Sequence, residues 1–206
     1  MNKNFVKTWI KWMLLSISLG IVLTSCTHKG LRNKSPNIVY VLADDMGYGD
    51  ITAYNENGKI HTPNLDKLAS EGMRFTDAHT SSSVCTPTRY SILTGRYNWR
   101  SRLKKGVLWG HHDALISRER TTVASLLKDN GYHTAFIGKW HLGWNWAKDS
   151  AGNILFNKSV THTPNDLGFD YAYGHSGSLD MPPYVYVENA MATSIPIDST
   201  GNNDYM

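Results

Sequence analysis

Cysteine is close to missing from this 206-residue chain, which has two, Cys26 and Cys85. A pair allows at most one disulfide, so no disulfide framework holds the fold together. Long apolar runs are missing as well. The stretch from Trp12 to Leu23 is the strongest candidate, and it falls short of the roughly 20 apolar residues a membrane-spanning helix needs. Residues 1–25 contain no acidic residue, only Lys3, Lys7 and Lys11. No internal repeat and no low-complexity tract is visible. Charged residues are 18% of the chain and hydrophobic ones 41%, a balance that predicts a packed core and excludes wholesale disorder. The net charge of +4 and pI near 9.0 suggest nucleic acid at first. Setting aside the three lysines of the first segment leaves +1, close to neutral, so no nucleic-acid partner is expected.

A basic start followed by a short apolar stretch is the layout of an export signal, here residues 1–25. It ends in Leu23-Thr24-Ser25-Cys26, which resembles the processing site of bacterial lipoproteins. That resemblance implies cleavage before Cys26 and acylation of its thiol; an ordinary signal or an anchor that happens to end in cysteine is the alternative. Lipidation would leave Cys85 alone in a compartment that oxidises thiols. The expected location is that of an exported, membrane-anchored lipoprotein, at the outer membrane because Thr27 stands where an inner-membrane retention aspartate would. Residues 26–35 are polar and patternless and read as a tether. Residues 36–206 form the domain.

Asn37 to Ala43 is a continuous apolar, β-branched run, the pattern of a strand buried on both faces of a parallel sheet. Thr62-Pro63 starts a helix that Gly72 stops, and Met73 to Ala78 reads as a second strand. A Ser/Thr-rich loop, Thr80 to Val84, leads into Cys85-Thr86-Pro87-Thr88-Arg89, where Pro87 suits the first turn of a helix running to Thr94 with Gly95 as its cap. Thr121 or Thr122 caps another helix closed by Gly131, and Thr134 to Ile137 reads as a third buried strand. Alternating strands and helices predict an α/β fold with a largely parallel sheet flanked by helices. From Trp144 onward the pattern gives way to loops rich in Gly, Asn, Pro and Tyr, and Ile195 to Met206 shows no closing element.

Asp44-Asp45 follows the first apolar run, at a strand end where ligands collect in α/β sheets, and paired carboxylates suit a hard cation. Loop acids are common, so solvated carboxylates are the other reading. Cys85 sits where a helix start favours anions, with Arg89 one turn further along the same face; a structural cysteine beside a surface arginine fits placement alone equally well. Arg96, Arg100, Arg102, Lys104 and Lys105 form a basic run that suits anionic glycans or simply a solvated loop. His111-His112 has no metal-ligand spacing.

Cys85-Thr86-Pro87-Thr88-Arg89-Tyr90-Ser91-Ile92-Leu93-Thr94-Gly95-Arg96 resembles the first signature of type I, formylglycine-dependent sulfatases. Gly131-Tyr132-His133-Thr134-Ala135-Phe136-Ile137-Gly138-Lys139-Trp140-His141 resembles the second, and Asn37 to Asp45 is similar to the family's first strand and metal-binding pair. The resemblance covers about Pro36 to Asn189, and Gly177 to Tyr184 is similar to a pocket-rim segment of bacterial members. It implies an alkaline-phosphatase-like α/β fold and hydrolysis of sulfate esters of glycans or aryl compounds. It further implies that a maturation enzyme oxidises Cys85 to formylglycine, whose hydrate attacks sulfur. Calcium would be bound by Asp44, Asp45 and the modified Cys85. Arg89 would hold the formylglycine, Lys139 would touch both it and the sulfate, and His141 would act as base. The family's remaining metal ligands, second lysine and acid histidine match nothing here, so this reads as an incomplete, N-terminal part of the domain, expected to be inactive alone. Rival readings are a formylglycine-dependent phosphodiesterase or phosphonate hydrolase, and a non-catalytic surface-binding lipoprotein.

Overall fold

The computed structural model describes residues 35–198. The expected export signal, Cys26 and the expected tether up to residue 34 lie outside the described residues, as do residues 199–206. No helix among the described residues is long and apolar enough to cross a membrane. Ser35 to Leu42 belongs to a separate unit from Ala43 onward, and the account below concerns the latter unless stated.

Among the described residues three α-helices form, each with a local cause. Helix α1, Pro63–Glu71, starts on its proline after Thr62, ends at Gly72 and buries none of its residues. Helix α2, Cys85–Thr94, is closed by Gly95 at φ 63°, the left-handed conformation glycine adopts without strain. Helix α3, Val123–Asp129, is started by Thr122. The Ser125 N–H donates to the Thr122 hydroxyl at 3.1 Å and the Thr122 N–H returns to the Ser125 hydroxyl at 2.9 Å, a reciprocal cap.

The sheet runs β1 (Ala135–Lys139), β2 (Tyr171–His175), β3 (Tyr186–Glu188) and β4 (Met191–Ala192), in that spatial order. The α/β expectation holds, but among the described residues the sheet is mixed. β1 and β2 pair in parallel, whereas β2–β3 and β3–β4 are antiparallel. The last three strands come from the region that reads as loops, because Tyr, Gly and Glu alternate there without an apolar run. Gly174 of β2 has no room for a side chain: a Cβ would stand 1.9 Å from the Gly138 carbonyl oxygen.

Three expected strands come out differently. Asn37 to Ala43 joins no ladder, and Val39 and Val41 are 85% and 84% exposed. Met73 to Ala78 is irregular, with Met73 and Phe75 exposed. β1 does form, but at the sheet edge, with Ile137 67% exposed. Apolar, β-branched composition encodes a demand for burial; a ladder also requires a neighbour, and among the described residues neither Asn37 to Ala43 nor Met73 to Ala78 pairs with one.

The core lies beneath the loop that follows β1. Trp140, Leu142 and Trp144 are almost completely buried with Ile116, Leu108 and Val187. The Trp140 ring meets Phe136 edge to face at 5.0 Å, and Trp144 meets Trp146 in the same way at 5.7 Å. The indole N–H groups of Trp140 and Trp146 donate to the carbonyls of Gly143 and Gly110 at 3.0 and 2.9 Å.

Candidate functional site

Cys85 opens helix α2, and residue 84, the cap position, is Val, which has no side-chain acceptor. Pro87 has no N–H and the Thr88 N–H donates to the Val84 carbonyl at 3.2 Å, so the Cys85 and Thr86 N–H groups are left for another acceptor. Cys85 is a half-buried free thiol. Its neighbour Thr86 is fully buried and ties three segments together: its hydroxyl donates to the His141 carbonyl at 2.8 Å and accepts the Leu108 N–H at 3.1 Å. The thiol-bearing turn is thus fixed against the end of β1.

One turn along, Arg89 extends its guanidinium to the Lys139 carbonyl and to Asp44, whose Oδ1 lies 3.1 Å away. The Lys139 ammonium donates to Asp44 Oδ2 at 2.6 Å and to the Ser178 hydroxyl at 3.1 Å. Two largely buried cations, at 10–11% side-chain exposure, therefore converge on one carboxylate that is 44% exposed. Burial works to raise the pKa of Asp44, but the hydrogen bonds and charges of Lys139 and Arg89 outweigh it and hold the carboxyl below its usual range. Asp45 is adjacent, exposed, and at φ 58°.

His141 is completely buried at φ 53°. Its Nε2 lies 2.6 Å from the Leu108 carbonyl; a carbonyl only accepts, so Nε2 carries the proton. Nδ1 is then a bare lone pair, without a partner among the described residues. Burial, opposed by the Leu108 carbonyl and reinforced by Lys139 and Arg89, lowers the pKa to about 4. The ring is a neutral base, held in one tautomer at ordinary pH.

The structure brings Asp44, Arg89, Lys139 and Ser178 together and links Cys85 to His141 through Thr86. Ser178 gives the segment from Gly177 to Tyr184 a direct place here. Pro182 of that segment crosses Gly110, where a Cβ would stand 2.4 Å from the Pro182 carbonyl oxygen. Sequence reasoning missed Thr86, hidden at the variable position of its motif, and His175. His175 pairs in register with Lys139. It donates from Nδ1 to the Gly177 carbonyl at 2.7 Å, leaving Nε2 as an acceptor. Its pKa is lowered by burial, with Lys139 and Arg89 adding to the effect and the Gly177 hydrogen bond opposing it. Register with the lysine was the missing signal, and it exists only once β2 is recognised. His111 and His112 stack edge to face at 4.8 Å, and the His112 ring accepts the Trp109 N–H.

Among the described residues no three His, Cys, Asp or Glu side chains cluster as a metal site. The two aspartates offer hard oxygen donors of the kind calcium takes, but at most four oxygens of the six to eight it needs. Both Asp44 oxygens already face a cation.

The sulfatase family profile covers residues 36–192. An N-acetylgalactosamine-6-O-sulfatase of Bacteroides thetaiotaomicron is 38% identical over 182 residues, 85% of this chain and 34% of that protein. Human arylsulfatase G is 39% identical over 177 residues, 86% of this chain and 31% of that protein. A Bacteroides thetaiotaomicron 6S-sulfatase, solved in work on the metabolism of multiple glycosaminoglycans, superposes with a TM-score of 0.72 at 37% identity, covering 80% of this chain and 33% of its own. The chain thus spans about a third of the length of the curated relatives it matches. With the two signature segments and their α/β, alkaline-phosphatase-like scaffold in place, the chain belongs to the sulfatase family.

Proposed function

We propose that this chain carries the nucleophile and part of the anion-binding apparatus of a sulfuric ester hydrolase that acts on sulfate monoesters of glycans or aryl compounds. The observation that supports this most directly is the convergence of Arg89 and Lys139 on Asp44, one helical turn from Cys85. A sulfate monoester resists attack because its charged oxygens repel nucleophiles, and two fixed, dehydrated cations offset that repulsion as charge shifts to the leaving oxygen. The relatives named above, all sulfatases, support sulfate over phosphate as the transferred group.

In this reading Cys85 is converted to formylglycine by a maturation enzyme, and the aldehyde hydrate supplies the attacking hydroxyl. The open N–H groups of the α2 first turn hold the negative charge that develops near residue 85. Arg89 orients residue 85 from one turn away, and Lys139 reaches the sulfate by exchanging its bond to Asp44 or Ser178. His141 accepts a proton at Nδ1, the one nitrogen that is free to do so. Asp44 and Asp45 would hold calcium, which supplies electrostatic stabilisation of the sulfate oxygens. At the membrane, acylated Cys26 would anchor the chain; stable attachment takes two acyl chains or more.

The test is capture of an aldehyde at residue 85. The chain, produced together with a formylglycine-generating enzyme, is treated with a hydrazide probe, digested and read by mass spectrometry. The Cys85 peptide is expected to carry the probe, and Cys85→Ala is expected to carry none. Unmodified thiol alone at residue 85 overturns the assignment.

A further inference from the structure

Between Ala78 and His112 the sequence contains no Asp or Glu, while Arg89, Arg96, Arg100, Arg102, Lys104 and Lys105 all fall there. Arg89 belongs to the site above. Arg102 is occupied by the carbonyls of Asp113 and Ala114, at 2.8 and 3.0 Å. The rest of the run sits just beyond the C-terminal end of α2, where the chain makes a tight turn, Asn98–Arg100.

That turn displays two aromatic rings. Tyr97 and Trp99 stack face to face, with centroids 4.1 Å apart and planes within 11°, and each is more than half exposed. The display is anchored from below. Ser101 is buried, its hydroxyl donates to the Leu103 carbonyl at 3.1 Å, and Leu103 packs against the core. The Lys104 ammonium donates to the Trp99 carbonyl at 2.8 Å, which fixes a cation beside the rings. Arg100, Lys104 and Lys105 are exposed, and none has a carboxylate partner among the described residues. A rigid, solvent-facing aromatic pair beside uncompensated positive charge is not what a solvated loop needs; exposed apolar surface with a charged rim marks an interaction site.

We propose that the Tyr97–Trp99 platform with Arg100, Lys104 and Lys105 is a secondary binding surface for sulfated polysaccharide, separate from the sulfate-cleaving site. The apolar C–H face of a pyranose ring packs on an aromatic face, which neither ring hydroxyls nor sulfates can do, while the cations pair with sulfates on the same sugar or its neighbour. Helix α2, ten residues from Cys85 to Thr94 and about 15 Å long at 1.5 Å per residue, lies between Cys85 and the platform. A chain of several sugars spans that gap and a monosaccharide does not. The choice of polysaccharide over nucleic acid rests on the proposed sulfatase function; aromatic rings among basic residues also suit single-stranded nucleic acid.

Binding is measured on the Cys85→Ala chain, so that neither maturation nor turnover enters and failure here is distinct from failure to form the aldehyde. The probes are chondroitin sulfate chains, the same chains chemically desulfated, and single-stranded DNA of equal charge, with Trp fluorescence and affinity electrophoresis as readouts. Sulfated chains are expected to bind, more weakly as salt rises. Tyr97→Ala/Trp99→Ala and, separately, Lys104→Ala/Lys105→Ala are each expected to weaken binding by about tenfold or more, the loss typical of aromatic and basic hot spots. Trp99→Phe keeps a ring and is expected to retain most of the affinity, which separates platform loss from unfolding. Equal binding of the desulfated chains, tighter binding of the DNA, or sulfated-chain binding untouched by both double variants overturns the proposal.

Discussion

Two stretches of the same unit are held together by different forces. From Tyr48 to Glu71 the ties are polar: the Asp66 carboxylate accepts the Thr52 hydroxyl at 2.6 Å, the Ala53 N–H at 2.7 Å and the Thr62 hydroxyl at 3.1 Å. No residue of α1 or of the turn at Tyr48–Asp50 is buried. From Leu108 to Val187 the ties are apolar, with three tryptophans and their aliphatic neighbours excluded from water. A hydrogen bond near the surface replaces one made to water and contributes little net free energy, whereas removing a large apolar side chain from water contributes several kcal/mol. The candidate site straddles this difference. Asp44 comes from just before the polar stretch, while Lys139 and His141 project from the apolar one. The cations and the base are thus on rigid footing, and their acceptor is on the more easily loosened part.

Trp140→Ala should break the comparison most severely. Trp140 is 2% exposed, and truncating a buried Trp costs about 3–5 kcal/mol. Denaturant unfolding followed by circular dichroism is expected to show that loss. A cost below about 1 kcal/mol would mean the aromatic cluster is not the source of stability.

An acid titration reads the next effect. The pKa of His141 is about 4 in the folded chain against 6.5 for a free imidazole, so between these values the unfolded state binds more protons. Stability from the neutral ring is fully present above pH 6.5 and is lost as pH falls through this window, by about 3 kcal/mol in total. Asp44, with its lowered pKa, continues the loss below its ordinary value of 3.8. His141→Gln is expected to flatten the dependence between pH 6.5 and 4; an unchanged slope would place the titrating group elsewhere.

The smallest effect is expected from Asp66→Asn. Hydrogen bonds led by the Thr52 hydroxyl lower the Asp66 pKa, so its stabilisation is present above 3.8 and lost on acidification below it. The variant should destabilise less than Trp140→Ala does. It should also increase hydrogen exchange at Thr52, Ala53 and Asp66 while leaving the amides of Trp140 and His141 protected. Exchange rising equally in both stretches would show that the two unfold as one.

Cys85, Arg89, Lys139 and His141 stood out as candidates because fixed spacing around Pro87 and Gly138 carries them, and Asp44 because Asp44-Asp45 ends the first apolar run. Helices α2 and α3 were legible because Gly95 and Thr122 declare their ends. The strands β2 to β4 were not, since short strands of a mixed sheet carry neither an apolar run nor clean alternation. The apolar segments at Asn37 and Met73 announced burial without saying against what. Thr86 looked like filler, though its hydroxyl joins three segments. His175 was invisible without the register that sets it beside Lys139, and Tyr97 and Trp99 gave no sign that their rings stack.

The sequence by itself determined the kinds of group present and their local turns: a cysteine at a helix start, an arginine one turn on, a lysine at a strand end. Those follow from backbone preferences that act over a few residues. The tertiary structure alone decided that Arg89 and Lys139 share Asp44 and that His141 bares Nδ1 because Leu108 takes Nε2. Each of these depends on contacts across some 30 to 95 positions of chain. Such contacts are set by how the core packs, and no local propensity encodes them.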